Sequence, residues 1–145
     1  MTPREALESA LAKAFVFRGR ASRAEFWWVA LFWALTYVTL TAVGVLSFGQ
    51  AMTFAILAAF VLVTFLPMLA LSVRRLQDTG RDGWGVALPI VGAAIASGGR
   101  LVGSEAFEFS GQLLEVALSL VLIVWYAERG DPRPNAYGPP PDRSS

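Results

Sequence analysis

Long apolar runs separated by short polar stretches dominate the pattern along this chain. No charged residue occurs from Phe26 to Val73. As one continuous helix that run would be roughly 70 Å long, whereas the hydrocarbon core of a bilayer is about 30 Å thick. Because a single span cannot use this length, the pattern predicts two membrane spans, at about 23–46 and 52–73. The locally polar residues around Gly49 are expected to join them.

The second half of the chain predicts two further spans, at about 84–103 and 112–127. The uncharged run from Trp84 to Gly99 corresponds to only about 24 Å of helix, so this span has to continue past Arg100 to cross the bilayer. Residues 104–111 are expected to form a short acidic connection. The alternative is that the third and fourth segments form a re-entrant pair that enters and leaves by the same face.

The two ends of the chain have different patterns. Residues 1–17 predict an amphipathic cytoplasmic helix that begins with Thr2, Pro3 and Glu5, a combination typical of a capping box. This helix is expected either to lie on the membrane surface or to pack on the protein's own loops. Residues 128–145 are rich in proline and charge, which predicts an extended, disordered cytoplasmic tail.

The predicted fold class is therefore all-α. It is a polytopic membrane protein with four transmembrane helices arranged as two hairpins, plus the N-terminal amphipathic helix. Residues 18–127 are expected to form the membrane domain, and the spacing of Ser22 and Glu25 suggests a second capping box where the first span begins.

Composition supports a membrane class and argues against most enzyme chemistry. The 145 residues are 55% hydrophobic and only 16% charged, whereas soluble domains carry about 25% charged residues. The net charge of +1 does not suggest a nucleic-acid partner. There is no Cys and no His, so thiol nucleophiles, the commonest zinc ligands and the commonest general base are missing. We accordingly predict no catalytic residue, no cofactor and no metal site.

Arginine placement predicts the orientation. In the four-span arrangement one side carries almost all the arginines, and the opposite side carries Arg100 with Glu105 and Glu108. Because positively charged loops stay in the cytoplasm, both termini are expected to be cytoplasmic. The arginines on that side are Arg18, Arg20, Arg23, Arg74, Arg75, Arg81, Arg129 and Arg133.

Three motifs in this order resemble the domain of unknown function 805 family, small bacterial inner-membrane proteins. They are F-R-G-R-A-S-R-A-E-F-W-W at 17–28, R-R-L-Q-D-T-G-R-D-G-W at 74–84 and N-A-Y-G-P-P-P at 135–141. The resemblance implies a multi-pass protein of the bacterial cytoplasmic membrane and supplies no activity. Gln77 stands where family members often have His, and Gly85 stands where a second aromatic residue is common.

The stretch 74–84 has a structural interpretation as a hinge between two hairpins. Arg74 and Arg75 lie near the negative end of the second span, within reach of Asp78. The hinge residues are expected to take the following roles: Gly80 ends that span in a left-handed conformation, Asp82 caps the third helix, and Trp84 anchors it at the interface.

The same stretch also has a functional interpretation. If its arginines converge with those of residues 18–23, they form a basic cytoplasmic face that binds membrane lipid, specifically the headgroup of an anionic phospholipid, or an acidic segment of a partner. The candidate residues are Arg18, Arg20, Arg23, Arg74, Arg75 and Arg81. We therefore predict a non-enzymatic interaction or lipid-binding module, whose protein partner is another copy of the chain or another membrane protein.

Two alternatives belong to other functional classes. Asp78 and Asp82 could hold Mg²⁺ in an enzyme that acts on lipid-linked substrates, although no downstream acidic pair follows before Glu105. A subunit of an oligomeric channel or transporter would use Arg100 and Glu115, the polar groups nearest the bilayer. The simpler expectation for Arg100 and Glu115 is that they neutralise each other near the outer interface.

Overall fold

The computed structural model of the protein describes residues 1–141, and within that range it is all helical with no β-strand. The predicted all-α class is therefore confirmed. An isolated antiparallel bridge joins Asn135 and Gly138. The elements are α1 (Pro3–Ala12), α2 (Arg23–Asp78), a 3-10 turn (Gly83–Ala87), α3 (Leu88–Leu101) and α4 (Glu105–Ala127).

The long helix α2 is broken at Gly49, where the chain was predicted to reverse. Gly49 has φ 75° and ψ 174°, a backbone conformation that glycine adopts without steric cost. Contacts across the break run in antiparallel order. A Cβ atom on Gly44 would lie 2.8 Å from the side chain of Thr53, and Trp33 Nε1 donates to Thr64 Oγ1 at 2.9 Å. The two halves of α2 therefore lie side by side.

Helices α3 and α4 pack with their backbones in direct contact. A Cβ atom on Gly92 would lie 2.2 Å from the backbone nitrogen of Glu115, and one on Gly111 would lie 2.2 Å from that of Ala96. This close approach requires glycine at the contact, as in other membrane helix pairs with small residues at their interface. Helix α3 is rich in Gly and Ala, which permit such packing.

The turn between α3 and α4 is shorter than the sequence predicted. Gly103 has φ 68°, and the amide of Ser104 already donates to the carbonyl of Gly99 at 2.9 Å. Helix α4 then begins at Glu105, so residues 105–111 are helical, and the prediction of a connection over 104–111 is wrong for them. Acidic side chains in a first helical turn are favoured by the helix dipole, which explains why this acidic stretch can start the helix.

Because the turn is short, Arg100 at the end of α3 lies next to Glu108 at the start of α4. Its Nη2 atom lies 2.7 Å from Glu108 Oε1, so the expected pair with Glu115 is not formed. In the antiparallel register Glu115 is opposite Gly92, two helical turns away from Arg100.

Helix α1 packs on the protein itself, as in the second of the two expectations, but mainly against helix α2 and not against loops. Ala6 and Ala10 are buried in a cluster that includes Phe26 and Leu71 of α2, while Leu11 remains exposed. The predicted capping box is present, because Thr2 Oγ1 accepts from the amide of Glu5 and the Glu5 carboxylate accepts from the amide of Thr2.

Among the described residues three helical segments are long and apolar enough to cross a membrane: Arg23–Asp78, Gly83–Leu101 and Glu105–Ala127. Many of their large apolar side chains are exposed, including Leu46 and Leu62 at 86% and 78% of their surface. Such surfaces are stable next to lipid and costly in water.

The α3–α4 contact can be tested with two glycine substitutions. Gly92→Ala places a methyl group against the backbone of α4, and overpacking of this kind costs about 1–3 kcal/mol, so we expect a lower Tm in detergent. Gly98→Ala is the matched control, because nothing lies within 4 Å of its added Cβ, and alanine favours a helix. An unchanged Tm for Gly92→Ala would contradict the packing described here.

Candidate functional site

The three polar stretches of the sequence meet at one end of the helices. The amide of Gly19 donates to Gln77 Oε1 at 3.0 Å, and the amide of Ala21 donates to the carbonyl of Arg74 at 3.1 Å. From the segment after α4, the amide of Asp131 donates to the carbonyl of Asp78 at 2.8 Å. We call this region, residues 17–25, 74–84 and 128–138, the polar end.

Asp78 is the central acceptor of the polar end. Its Oδ1 atom lies 2.8 Å from Arg20 Nε and its Oδ2 atom lies 2.5 Å from Arg75 Nη1. All three side chains are almost completely buried. Since an isolated buried charge is strongly unfavourable, burial of the carboxylate and the two guanidinium groups is stable only while they remain paired.

The remaining donors of these two arginines bind backbone carbonyls. Arg75 Nε donates to the carbonyl of Tyr126 at 2.9 Å and Arg75 Nη2 to that of Glu128, where α4 ends. Arg20 Nη1 donates to the carbonyl of Arg133 at 2.8 Å, and Arg20 Nη2 to that of Asp131. The last carbonyls of a helix have no partner within it and carry partial negative charge, so buried guanidinium groups suit those of α4.

A second buried pair joins the start of α2 to its end. Arg74 Nη1 lies 3.3 Å from Glu25 Oε1, which also accepts from Ser9 Oγ of α1 at 3.2 Å. The Nε and Nη2 atoms of Arg74 have no hydrogen-bond partner in residues 1–141. Ser22 caps α2 as predicted by accepting from the amide of Glu25, but the Glu25 carboxylate faces Arg74, so the reciprocal half of the capping box is missing. A buried cation attracts a carboxylate more strongly than a neutral amide does.

The hinge residues behave in part as the sequence predicted. Gly80 has φ 78° and ends α2, with the amide of Arg81 donating to the carbonyl of Leu76 at 3.1 Å. Asp82 precedes the 3-10 turn without capping it, because its Oδ1 accepts from the hydroxyl of Tyr137 at 2.6 Å. That hydrogen bond raises the pKa of the Tyr137 hydroxyl. Trp84 is 85% exposed, as an interfacial anchor would be.

The six candidate arginines fall into two groups. Arg20, Arg74 and Arg75 are buried, whereas the expected headgroup site requires their guanidinium groups to be open. Arg18 and Arg23 are exposed, and Arg23 Nη1 donates to the carbonyl of Ala127 at 3.3 Å. The sixth, partly exposed Arg81, forms two hydrogen bonds with the Glu128 carboxylate and lies 4.8 Å from the centre of the Trp125 ring.

The segment after α4 differs most from its prediction. Over residues 128–141 the structure places it against the end of α2, where disorder was expected. Asn135 Nδ2 donates to the carbonyl of Gln77 at 2.9 Å, and a Cβ atom on Gly130 would lie 1.9 Å from Asp78 Oδ2. Disorder was inferred from a lack of apolar residues, but backbone carbonyls and one amide side chain hold this segment. Residues 142–145 of the predicted tail lie outside the described residues.

Glu25, Glu128, Asn135 and Tyr137 complete the polar end, and sequence reasoning did not include them among its site residues. The sequence did contain a signal for three of them: Glu25 belongs to the motif at 17–28, and Asn135 and Tyr137 belong to the motif at 135–141. In the part of the chain that is described, no group of three acidic side chains could hold a metal ion. Both carboxylate oxygens of Asp78 accept from arginine, and Asp82 pairs with Tyr137.

Comparison with known protein families shows which family the chain belongs to. The family described as "Protein of unknown function (DUF805)" matches residues 14–139, which include the whole of the polar end. The chain belongs to the DUF805 family. The predicted resemblance is thereby confirmed, and with it the assignment of this DUF805 protein as a membrane protein.

Named relatives of this DUF805 protein occur in Escherichia coli. Inner membrane protein YhaI of strain K12 is 37% identical over 79 residues, and the protein of the same name from O157:H7 gives the same figures. The aligned region is 52% of this chain and 65% of each relative, so it spans slightly less than two thirds of their length. No solved structure matches the chain.

The role of Asp78 can be tested against Asp82. Asp78→Asn leaves two buried guanidinium groups without a carboxylate, and breaking a buried pair in this way costs about 3–5 kcal/mol, so we expect a large fall in Tm. Asp82→Asn removes the same charge from an exposed residue, where the cost is about 1 kcal/mol or less. Thermal unfolding of both variants in detergent measures the difference, and equal Tm values would show that Asp78 does not organise the polar end.

Proposed function

We propose that this DUF805 protein is a multi-pass protein of the bacterial cytoplasmic membrane with four spans, arranged as two hairpins, and with both termini in the cytoplasm. Two features support the proposal. The reversals at Gly49 and Gly103 separate antiparallel helical segments of spanning length. The polar end holds most of the arginines, which favours the cytoplasmic side for that end.

Reporter fusions after residues 49, 80, 103 and 145 test this topology. We expect cytoplasmic signals at 80 and 145 and signals from the opposite side at 49 and 103, because the arginines resist translocation. A cytoplasmic signal at 103 would instead identify α3 and α4 as a re-entrant pair. Fusions to two reporters, one active on each side of the membrane, supply the internal control.

For the activity we propose a non-enzymatic module whose polar end binds the headgroups of anionic lipid at the cytoplasmic surface. The observation that carries this proposal is the division of the arginines. Arg20 and Arg75 are enclosed with Asp78, whereas Arg18, Arg23 and Arg129 remain exposed at the same end. Each arginine near an anionic membrane surface contributes about 1 kcal/mol of attraction, and guanidinium groups bind phosphate in a forked geometry.

Exposed aromatic residues support this placement. Trp27 and Trp28 lie near the start of α2, just after residue 25, and Trp84 is the last residue of the hinge, so all three indoles lie in the polar end or close to it in sequence. Amphipathic indoles favour the depth of the lipid headgroups. This arrangement would hold the exposed arginines where lipid phosphates are found.

The other two functional classes have less geometric support. The Mg²⁺ enzyme requires open oxygens on Asp78, and both of these accept from arginine. The channel requires polar groups that face a pore, whereas Arg100 pairs with Glu108 at the end opposite the polar end. For these reasons lipid binding is the function that we propose.

Native mass spectrometry of the wild-type protein, released from bilayers of equal phosphatidylglycerol and phosphatidylcholine, tests the lipid proposal. We expect the retained lipid to be enriched in phosphatidylglycerol by about fivefold or more, since even one exposed arginine contributes about 1 kcal/mol. Enrichment should fall at high salt, because salt screens exposed charge. Retained lipid that matches the bulk composition would overturn the proposal.

A further inference from the structure

A cleft of about 400 Å³ lies between the start of α2 and the segment that follows α4. One wall carries Ser22, Arg23 and Ala24, and the other carries Arg129 and Gly130. Pro140 and Pro141 contribute to its rim, and the side chains of Arg20 and Asp78 lie in its lining. Because the second wall and the rim belong to residues 128–141, the cleft exists only when that segment is packed against α2.

The residues that line the cleft carry more positive than negative charge. Asp78 is the only acidic residue among the lining residues, and its two oxygens already accept from Arg20 and Arg75. Arg23 is exposed and makes one hydrogen bond, at 3.3 Å, to the carbonyl of Ala127. Arg129 is also exposed, and its guanidinium has no hydrogen bond or ion pair with any residue of 1–141. The cleft therefore presents two cationic groups that the neighbouring residues do not neutralise.

Backbone donors add to this positive potential. Ser22 Oγ accepts from the amide of Glu25, but the amides of Arg23 and Ala24 have no acceptor in the described part of the chain. These are the first two amides of α2, and the dipole of a helix makes its beginning favourable for an anion. The residues that carry two guanidinium groups and two unused amides thus line one cleft, a combination that suits the oxygens of a phosphate group.

We propose that this cleft binds one phosphate group, which deepens the proposed lipid function and rests on it. Arg23 and Arg129 provide the charge, and the first amides of α2 provide fixed donors. Arg20 is a positioning residue, since it holds the carbonyls of Asp131 and Arg133 and so keeps the second wall in place. The phosphate belongs to an anionic phospholipid headgroup or is free in solution, and the two sources share the same chemistry.

The binding test uses the full chain in a detergent that contains no phosphate. Dioctanoyl phosphatidylglycerol, dioctanoyl phosphatidylcholine and inorganic phosphate are titrated separately, with native mass spectrometry for the lipids and ³¹P line broadening for phosphate. We expect saturable binding of one phosphatidylglycerol or one phosphate per chain. Saturation by inorganic phosphate at similar affinity identifies phosphate itself as sufficient, whereas saturation by phosphatidylglycerol alone identifies the lipid as the source.

Variants locate the site. Arg23→Gln/Arg129→Gln should weaken binding at least about tenfold, because it removes both charge-assisted contacts to the phosphate. The matched control is Arg4→Gln/Lys13→Gln, which removes two charges from exposed basic residues at α1, outside both the cleft and the polar end, and should change affinity less than about twofold.

A further variant separates binding from folding. Ala24→Glu places a carboxylate in the cleft, yet an acidic residue in the first turn is favourable for the helix, so Tm should not fall while binding is lost.

Three results would overturn the site: no saturable binding of any probe, equal affinity in wild type and both cleft variants, or equal losses in the cleft and control double variants. If anionic-lipid enrichment is unchanged in Arg23→Gln/Arg129→Gln, the cleft is not the binding site, and the proposed lipid function still stands. If phosphate binds at the cleft but the wild-type protein shows no enrichment of anionic lipid, the phosphate site is supported and the lipid function is rejected.

Discussion

The structure depends on the sharing of one buried carboxylate by two buried arginines. Asp78 lies at the end of α2 and accepts from Arg20 before that helix begins and from Arg75 one turn earlier in it. With all three groups out of water, the loss of any one leaves an uncompensated charge, which is among the most costly defects a protein can contain. This pairing fixes the two ends of α2 together and so holds its two halves as neighbours at the polar end.

The same two arginines also hold the end of α4 and the segment that follows it. Each guanidinium group has five donors, and one carboxylate cannot satisfy two such groups. The remaining donors of Arg75 reach the carbonyls at the end of α4, and those of Arg20 reach the segment after it. A segment with almost no aliphatic side chains is thereby held by its backbone. Its fold is a consequence of the unsatisfied hydrogen-bonding capacity of buried cations and not of apolar burial.

This use of arginine separates two roles that look identical in the sequence. A basic residue near a membrane span can neutralise a buried group or can meet lipid phosphate, and it cannot do both with the same donors. Arg20, Arg74 and Arg75 take the internal role, while Arg23 and Arg129 border a cleft whose shape the internal group maintains. In the function proposed here, the buried network is the support and the exposed arginines are the contact surface.

The sequence by itself determined the all-α class, the apolar helices, the reversal at Gly49 and the family. These follow from local composition and from backbone preferences, which act within a few residues. The tertiary structure alone decided that Arg100 meets Glu108, that Asp82 accepts from Tyr137, and that the chain after α4 is ordered as far as residue 141. The physical reason is that the partner of a charged or hydrogen-bonding side chain is chosen by burial and proximity between distant segments, which spacing along one segment does not contain.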